Sequence, residues 1–198
     1  LYAMSELGQY CPHCITDGAA FLIEQFADEH DKKRLLPRLG AKEGNKLFSG
    51  AMFLTEKSGG SDVGANRCTA DQIQGDQYRL NGEKWFCSNV NADVIMALAR
   101  TGTLEKGTRG LSLFLVEKTL PNGDRNPMEI IRLKEKLGVR SMATGEVRFH
   151  DTRGKRLGKE GEGFKVMAQM INISRNYNSV AALAGNRRAI IEAWQYLQ

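Results

Sequence analysis

The sequence contains no apolar run that approaches the roughly 18 consecutive residues needed to cross a bilayer as a helix. Its first residues, LYAMSELGQY, lack the basic start of a secretory signal. No internal repeat or low-complexity tract is evident. The 198 residues are enough for one or two domains with a real core, so the sequence favours a globular protein over a membrane-spanning or disordered one.

Cysteine is scarce as well, and two of the four cysteines form the motif CPHC, Cys11 to Cys14. This is a thiol-redox spacing. A redox pair should follow a buried strand and open a helix, but the ten preceding residues show no strand pattern. A zinc site would need two further ligands, and only His13 is near. We therefore predict that CPHC is neither a disulfide nor a metal site, and the four thiols fit a reducing cytoplasm.

Phosphate-binding loops of the common types are also missing. No G-x-x-x-x-G-K-[ST] is present, and no G-x-G-x-x-G follows a strand. The net charge is nevertheless +5, and much of the excess lies in residues 132–159. Such a stretch can attract phosphate-bearing ligands or nucleic acid, although a solvated basic face is the more frequent explanation.

Helical patterns occupy residues 1–46, which we predict to be the end of a helical domain. Thr16 or Asp17 can cap a helix start, and AAFLIEQFA supplies an apolar stripe. Pro37 should end or bend a second, shorter helix.

Residues 47–156 are predicted to form a β domain. AMFLT, QYRLN, EKWFCS, DVIMALAR, GLSLFLVE and GEVRFHD are short apolar or alternating runs. Between two of them, Asn81-Gly82 is a strong hairpin signal. Strands at this spacing predict an antiparallel sandwich or barrel rather than a parallel α/β sheet.

Residues 157–198 start with a glycine-rich hinge and continue as one long helical pattern, within which Gly185 allows close packing or marks a break. The chain does not begin with Met and ends inside this pattern, so we expect both ends to be cut from a longer protein.

One loop signal stands out, the stretch LTEKSGGSDVG from Leu54 to Gly64. Its adjacent glycines let a ligand approach the main chain closely, and Thr55 and Ser61 add hydroxyls that donate or accept. An ordinary surface turn has the same composition, so the loop alone leaves both interpretations open.

Five segments in order resemble the acyl-CoA dehydrogenase flavoprotein family. They are AMFLTEKSGGSDVG, LNGEKWFCSNVNAD, LSLFLVEK, KEKLGVRSMATGEVRFHD and LGKEGEGFKVMAQMINISR. The resemblance covers most of the chain. It implies an α+β fold in which a central antiparallel β-barrel or sandwich, flanked by helices, holds FAD.

The resemblance also implies the cofactor contacts. Thr55 lies near the pyrimidine end of the flavin, and Ser61 near the FAD pyrophosphate and the substrate thioester. Phe86 shields one flavin face in place of the usual Trp, and Ser88 supplies the hydroxyl near N5. The full set of implied cofactor residues is Met52, Leu54, Thr55, Gly60, Ser61, Phe86, Cys87 and Ser88.

The activity implied for the full-length protein is α,β-dehydrogenation of an acyl-CoA thioester, an oxidoreductase step of fatty acid metabolism. Electron-transfer flavoprotein would be the acceptor, and the protein a cytoplasmic homo-oligomer, either dimer or tetramer. In most family members the catalytic glutamate lies well beyond residue 198. A minority place it just before the arginine matched here by Arg175, but Ser174 holds that position and cannot act as the base.

For three further residues, both a functional and a structural role are considered. Arg175 either lies near the substrate or sits on a wet helix face. Glu56 and Asp62 are carboxylates in the loop, but the family places no base there, so bracing the loop is the favoured role. We expect the 198 residues alone to bind FAD weakly and to be inactive.

A second function class follows from Lys57, which replaces the usual proline of the loop. TEKSGGSDV is close to the AidB-like branch of the family, which is linked to alkylation response and DNA association. The alternative is therefore an AidB-like flavoprotein with a nucleic-acid-binding role. The basic stretch does not discriminate, because CoA is polyanionic too.

Overall fold

The computed structural model describes all 198 residues, with helices at both ends of the chain and a seven-stranded sheet between them. The helices are α1 (Tyr2–Ser5), α2 (Leu7–Phe26), α3 (Glu29–Leu39) and α4 (Gly163–Tyr196). The strands are β1 (Gly50–Phe53), β2 (Thr69–Gln74), β3 (Gln77–Ser88), β4 (Val94–Arg100), β5 (Leu111–Glu117), β6 (Met128–Leu133) and β7 (Thr144–Leu157). None of the helices combines the length and apolar character required to traverse a bilayer.

Helix α2 begins earlier than predicted, so Thr16 and Asp17 lie inside it rather than at its start. The Glu6 side chain is the cap, accepting from the amides of Gly8 and Gln9. The Thr16 hydroxyl instead donates to the Pro12 carbonyl at 2.7 Å and accepts from the Gly50 amide at 2.9 Å. This hydroxyl thus ties α2 to the start of β1.

The sheet is mixed, which corrects the prediction of a purely antiparallel one. Its order is β1-β4-β2-β3-β7-β5, with β6 beside β7, and β1 runs parallel to β4. Strand β2 also runs parallel to β4, and β3, antiparallel to β2, reverses the chain before it enters β4. Strand β4 pairs fully with β5 but meets β2 only at Thr69 and Arg100. The fold is therefore α+β as predicted, with a sandwich-like sheet rather than a closed barrel.

Asn81-Gly82 does not form the predicted hairpin, because β3 continues straight through it. The pair forms a bulge against β7, where Asn81 exchanges two hydrogen bonds with Asp151. Gly82 has a φ of 128°, and a Cβ there would lie 2.7 Å from the Cys68 sulfur. The observed turn joins β2 to β3 at Gly75-Asp76.

Two hydrophobic cores lie on opposite faces of the sheet. Along β4, alternate residues enter each core: Met96 and Leu98 pack with the helices, while Ile95 and Ala97 enter the sandwich. Burial on both faces explains why this strand reads as a continuous apolar run.

The predicted long helix is confirmed as α4, which passes through Gly185 without a break. It begins against β5, where a Cβ on Gly163 would collide with the Ser112 backbone. The preceding turn uses Gly161 at φ 76°, whose amide donates to the Ser112 hydroxyl.

Candidate functional site

The loop after β1 lies against the end of β3, so the two segments with predicted flavin contacts are neighbours. The Trp85 amide donates a 2.9 Å hydrogen bond to the Thr55 carbonyl. Further along, the Asn89 side chain donates to the Gly50 carbonyl at 2.9 Å. Asn89 adopts φ 54°, a conformation that asparagine tolerates better than most residues.

Seven of the eight predicted cofactor residues are partly or fully accessible, and only Cys87 is buried. Met52 and Leu54 are half-buried at the margin of the helix-side core, and Phe86 leaves 49% of its surface exposed. The hydroxyls of Thr55, Ser61 and Ser88 make no hydrogen bond within the chain. The accessible residues are Met52, Leu54, Thr55, Gly60, Ser61, Phe86 and Ser88.

Cys87 lies on the opposite face of β3 from Phe86 and Ser88. Its side chain is fully buried in the sandwich core, and burial raises the pKa of its thiol. Its thiol therefore cannot line the surface that Phe86 and Ser88 share, and only its backbone is available to a ligand.

The glycines of the loop have different roles. A Cβ on Gly59 would lie 2.5 Å from the Asn66 side-chain oxygen, so the turn requires glycine there. Gly60 and Ser61 form the exposed tip, and a Cβ on Gly60 would meet only Thr55 at an ordinary 3.7 Å. The tip thus leaves its backbone open to a ligand.

Glu56 and Lys84 form a buried ion pair beneath the loop, with 2.6 Å between Lys84 Nζ and Glu56 Oε1. Burial alone would raise the pKa of Glu56, but Lys84 and the hydrogen bonds from Arg67 and Cys68 outweigh it and hold that pKa below its usual value. Glu56 therefore braces the loop, as the sequence favoured. Lys84 was missed, although its place in an apolar strand was an available signal.

Two further polar residues that sequence reasoning missed fix the far side of the loop. Asn66 donates to the Leu54 carbonyl at 2.7 Å. Arg100 donates to the carbonyls of Asn66, Gly64, Thr103 and Gly107. An arginine at the end of the apolar run DVIMALAR was the only sequence signal for this second brace.

Trp85 lies under three cations. The Nζ of Lys134 is 3.1 Å and that of Lys57 4.7 Å from the ring centroid, and the Arg132 guanidinium carbon is 5.8 Å away. Lys134 and Arg132 also pair with Glu146. Lys57, the residue in place of the usual proline, thus packs on the strand that carries Phe86.

No hydrogen bond or ion pair joins Arg175 to these residues. Arg175 is exposed on α4, and its side chain bonds only to Asn172 on the same helix, at 3.3 Å. Ser174, beside it, carries no carboxylate.

Most cations of the basic stretch are already paired. Arg148 bonds to Glu83, Lys155 to Asp28 and Asp31, and Arg156 to Asp76. The stretch is therefore largely an ion-pair network rather than a continuous free basic face.

The CPHC motif lies within α2, and both of its cysteines are free thiols. Burial raises the pKa of Cys14 to about 11 and also raises that of Cys11. A reactive redox thiol needs the opposite shift.

The exposed residues fit a flavin in their chemistry. A large aromatic ring, apolar side chains and three free hydroxyls match the flat apolar faces and polar edges of an isoalloxazine ring. None of these exposed residues is a carboxylate. The nearby Glu56 is paired with Lys84, so its carboxylate is not free to act as a base.

The family model of the acyl-CoA dehydrogenase middle domain matches residues 51–152. The chain therefore belongs to the acyl-CoA dehydrogenase family. Acyl-CoA dehydrogenase family member 11 of Caenorhabditis elegans is 38% identical over 195 residues, which cover 94% of this chain and 31% of that protein. The Escherichia coli protein AidB is 37% identical over 197 residues, covering 96% of this chain and 35% of AidB. The chain spans about a third of the length of these two relatives.

Solved structures have the same fold. Butyryl-CoA dehydrogenase of Megasphaera elsdenii matches with a TM-score of 0.86 at 28% identity, over 98% of this chain and 49% of that chain. The Caenorhabditis elegans protein ACDH-11, solved in complex with C11-CoA, matches with a TM-score of 0.83 at 37% identity, over 92% and 32% of the two chains.

Proposed function

We propose that the protein is an FAD-dependent oxidoreductase that dehydrogenates acyl-CoA thioesters at the α,β position. The observation that carries this proposal is the surface where Thr55 and Trp85 join two segments bearing free hydroxyls and a half-exposed phenylalanine. Family membership and the similarity to acyl-CoA dehydrogenases support it. We assign residues 1–46 and 157–198 to flanking helical domains and residues 47–156 to the middle β domain.

When bound, FAD would supply the acceptor for the β-hydride of the acyl chain. Thr55 and Ser88 would donate hydrogen bonds to its polar ring edge, and Phe86 would cover one ring face. Met52 and Leu54 would exclude water beside the ring. Gly60 and Ser61, with Cys87 through its backbone, complete the proposed cofactor contacts, and Ser61 and Arg175 are the proposed substrate contacts.

The base that removes the α-proton is proposed to lie outside these 198 residues. Glu56 is buried and paired, and Ser174 cannot accept the proton. The acyl-CoA substrate, electron-transfer flavoprotein as electron acceptor, a homo-oligomeric state and a cytoplasmic location belong to the same proposal.

The test is an assay of the full-length protein with butyryl-CoA and longer thioesters and an artificial electron acceptor. The proposal predicts a visible flavin spectrum that acyl-CoA bleaches under anaerobic conditions. Protein without flavin, or flavin that no acyl-CoA reduces, would contradict it.

The AidB-like alternative rests on the 37% identity to AidB. It predicts salt-sensitive binding of duplex DNA, because phosphate contacts release counterions. A gel-shift titration at two salt concentrations tests it, and no shift at low salt would reject it. The ion pairing of the basic stretch gives this alternative no separate support.

A further inference from the structure

The buried Glu56–Lys84 ion pair connects the loop Leu54–Gly64 to strand β3. Glu56 immediately follows Thr55, and Lys84 immediately precedes Trp85. Their side chains are 5% and 0% exposed. The charged pair and the Thr55–Trp85 backbone bond therefore make two adjacent crosslinks between the same segments.

The carboxylate of Glu56 also holds the end of the loop. Its oxygens accept from the Arg67 amide at 2.5 Å and from the Cys68 amide at 3.2 Å. The Lys84 ammonium is within 3.4 Å of the Leu54 carbonyl. One buried pair thus fixes the loop at its start and at its end.

Such a pair is restricted to one geometry, because a buried charge that loses its partner stays desolvated and unpaired. The two side chains expose 0% and 5% of their surface and are committed to each other, so they offer a ligand almost no contact area. The remaining role is to set where the loop lies relative to β3.

We propose that Glu56 and Lys84 are positioning residues for the cofactor surface, fixing Thr55 beside Phe86 and Ser88. This inference rests on the proposed function, because the surface matters only if a flavin binds there. It predicts that loss of the pair displaces the loop while the rest of the sheet stays ordered.

The experiment compares Glu56→Gln, Lys84→Met and the double variant in the full-length protein. Hydrogen exchange is followed at the amides of Trp85, Arg67 and Cys68. We expect faster exchange at these amides in all three variants, by a larger factor than in the core strands β4 and β5, whose exchange follows the global unfolding free energy. FAD affinity should fall by about tenfold or more, as when one hydrogen bond to a bound ligand is misaligned.

The matched control is a second ion pair, Arg34–Glu117, which joins α3 to β5 away from the loop. Arg34→Met and Glu117→Gln should lower the unfolding free energy without changing exchange at Trp85 or the position of the flavin absorption bands. In Glu56→Gln those bands should shift, because a displaced Thr55 alters the polarity at the ring edge.

Three outcomes separate the hypotheses. Wild-type exchange at Trp85, Arg67 and Cys68 in the Glu56 and Lys84 variants would overturn the positioning role. Faster exchange with flavin affinity and absorption bands equal to those of the control variants would also overturn it. A wild-type protein that binds no FAD would instead refute the proposed function, while the exchange data would still report on the loop.

Discussion

The amide of Trp85 donates a hydrogen bond to the Thr55 carbonyl, and this contact brings together two segments that are 30 residues apart in the sequence. Both segments carry residues that the family resemblance assigns to FAD. Because the contact is between backbones, it depends on the position of the whole loop rather than on one side chain. Amino-acid substitutions can test the brace beneath the loop, the packing of the surrounding helices and the proposed contacts to the flavin.

Glu56→Gln should destabilise the protein by about 3–5 kcal/mol at neutral pH, because Lys84 stays buried without its charged partner. The folded-state pKa of Glu56 lies below its ordinary value of 4.5. Its stabilising contribution is therefore complete above about pH 4.5 and is lost as pH falls through the lowered pKa.

Urea unfolding of wild type and Glu56→Gln across this pH range measures the effect. The difference in unfolding free energy should shrink as the solution becomes acidic. A difference that stays constant from neutral pH to below the pKa would contradict the assigned ionisation of Glu56.

Two glycines of α4 should respond oppositely to alanine. Gly163→Ala should lower the unfolding free energy by about 1–3 kcal/mol, because the new Cβ would collide with the Ser112 backbone. A Cβ on Gly185 would have no atom within 4 Å, and Gly185→Ala should raise stability by about 0.5–1 kcal/mol. Thermal or urea unfolding gives both values, and destabilisation by Gly185→Ala would show that the helix packs closely there.

Asp31 anchors α3 to the sheet. It is 4% exposed and accepts from Arg34 at 2.7 Å and from Lys155 of β7 at 2.6 Å. Asp31→Asn should cost about 1–3 kcal/mol of unfolding free energy. The control is Lys32→Gln on the same helix, whose pair with Glu29 is exposed and should contribute less than about 0.5 kcal/mol. Equal losses in the two variants would refute the anchoring role.

The sequence predicted the features that local patterns determine. The long α4 helix, the β-rich middle and the order of the family motifs were all readable, because each is a run with one periodicity or one motif. The parallel pairing of β1 with β4 was not, since it depends on how β3 reverses the chain between β2 and β4.

Errors arose where a distant contact overrides a local preference. Asn81-Gly82 is a hairpin signal in isolation, but Asp151 on β7 turns it into a bulge. Thr16 has the chemistry of a cap, yet Glu6 starts the helix upstream. At the site, the brace by Glu56 was foreseen, whereas Lys84 was not, because a buried lysine is recognisable only from its partner.

The most direct measurement is an FAD titration of the full-length protein with Thr55→Val, Ser88→Ala and both changes together. Each lost hydrogen bond should cost about 1–3 kcal/mol. Each substitution should therefore weaken FAD binding by roughly ten- to a hundredfold. Ser58→Ala is the control, because its hydroxyl lies in the same loop and bonds to the Ala65 carbonyl. Weakened binding in the Thr55 and Ser88 variants alone is the predicted result, and undiminished flavin occupancy in the double variant would contradict the account.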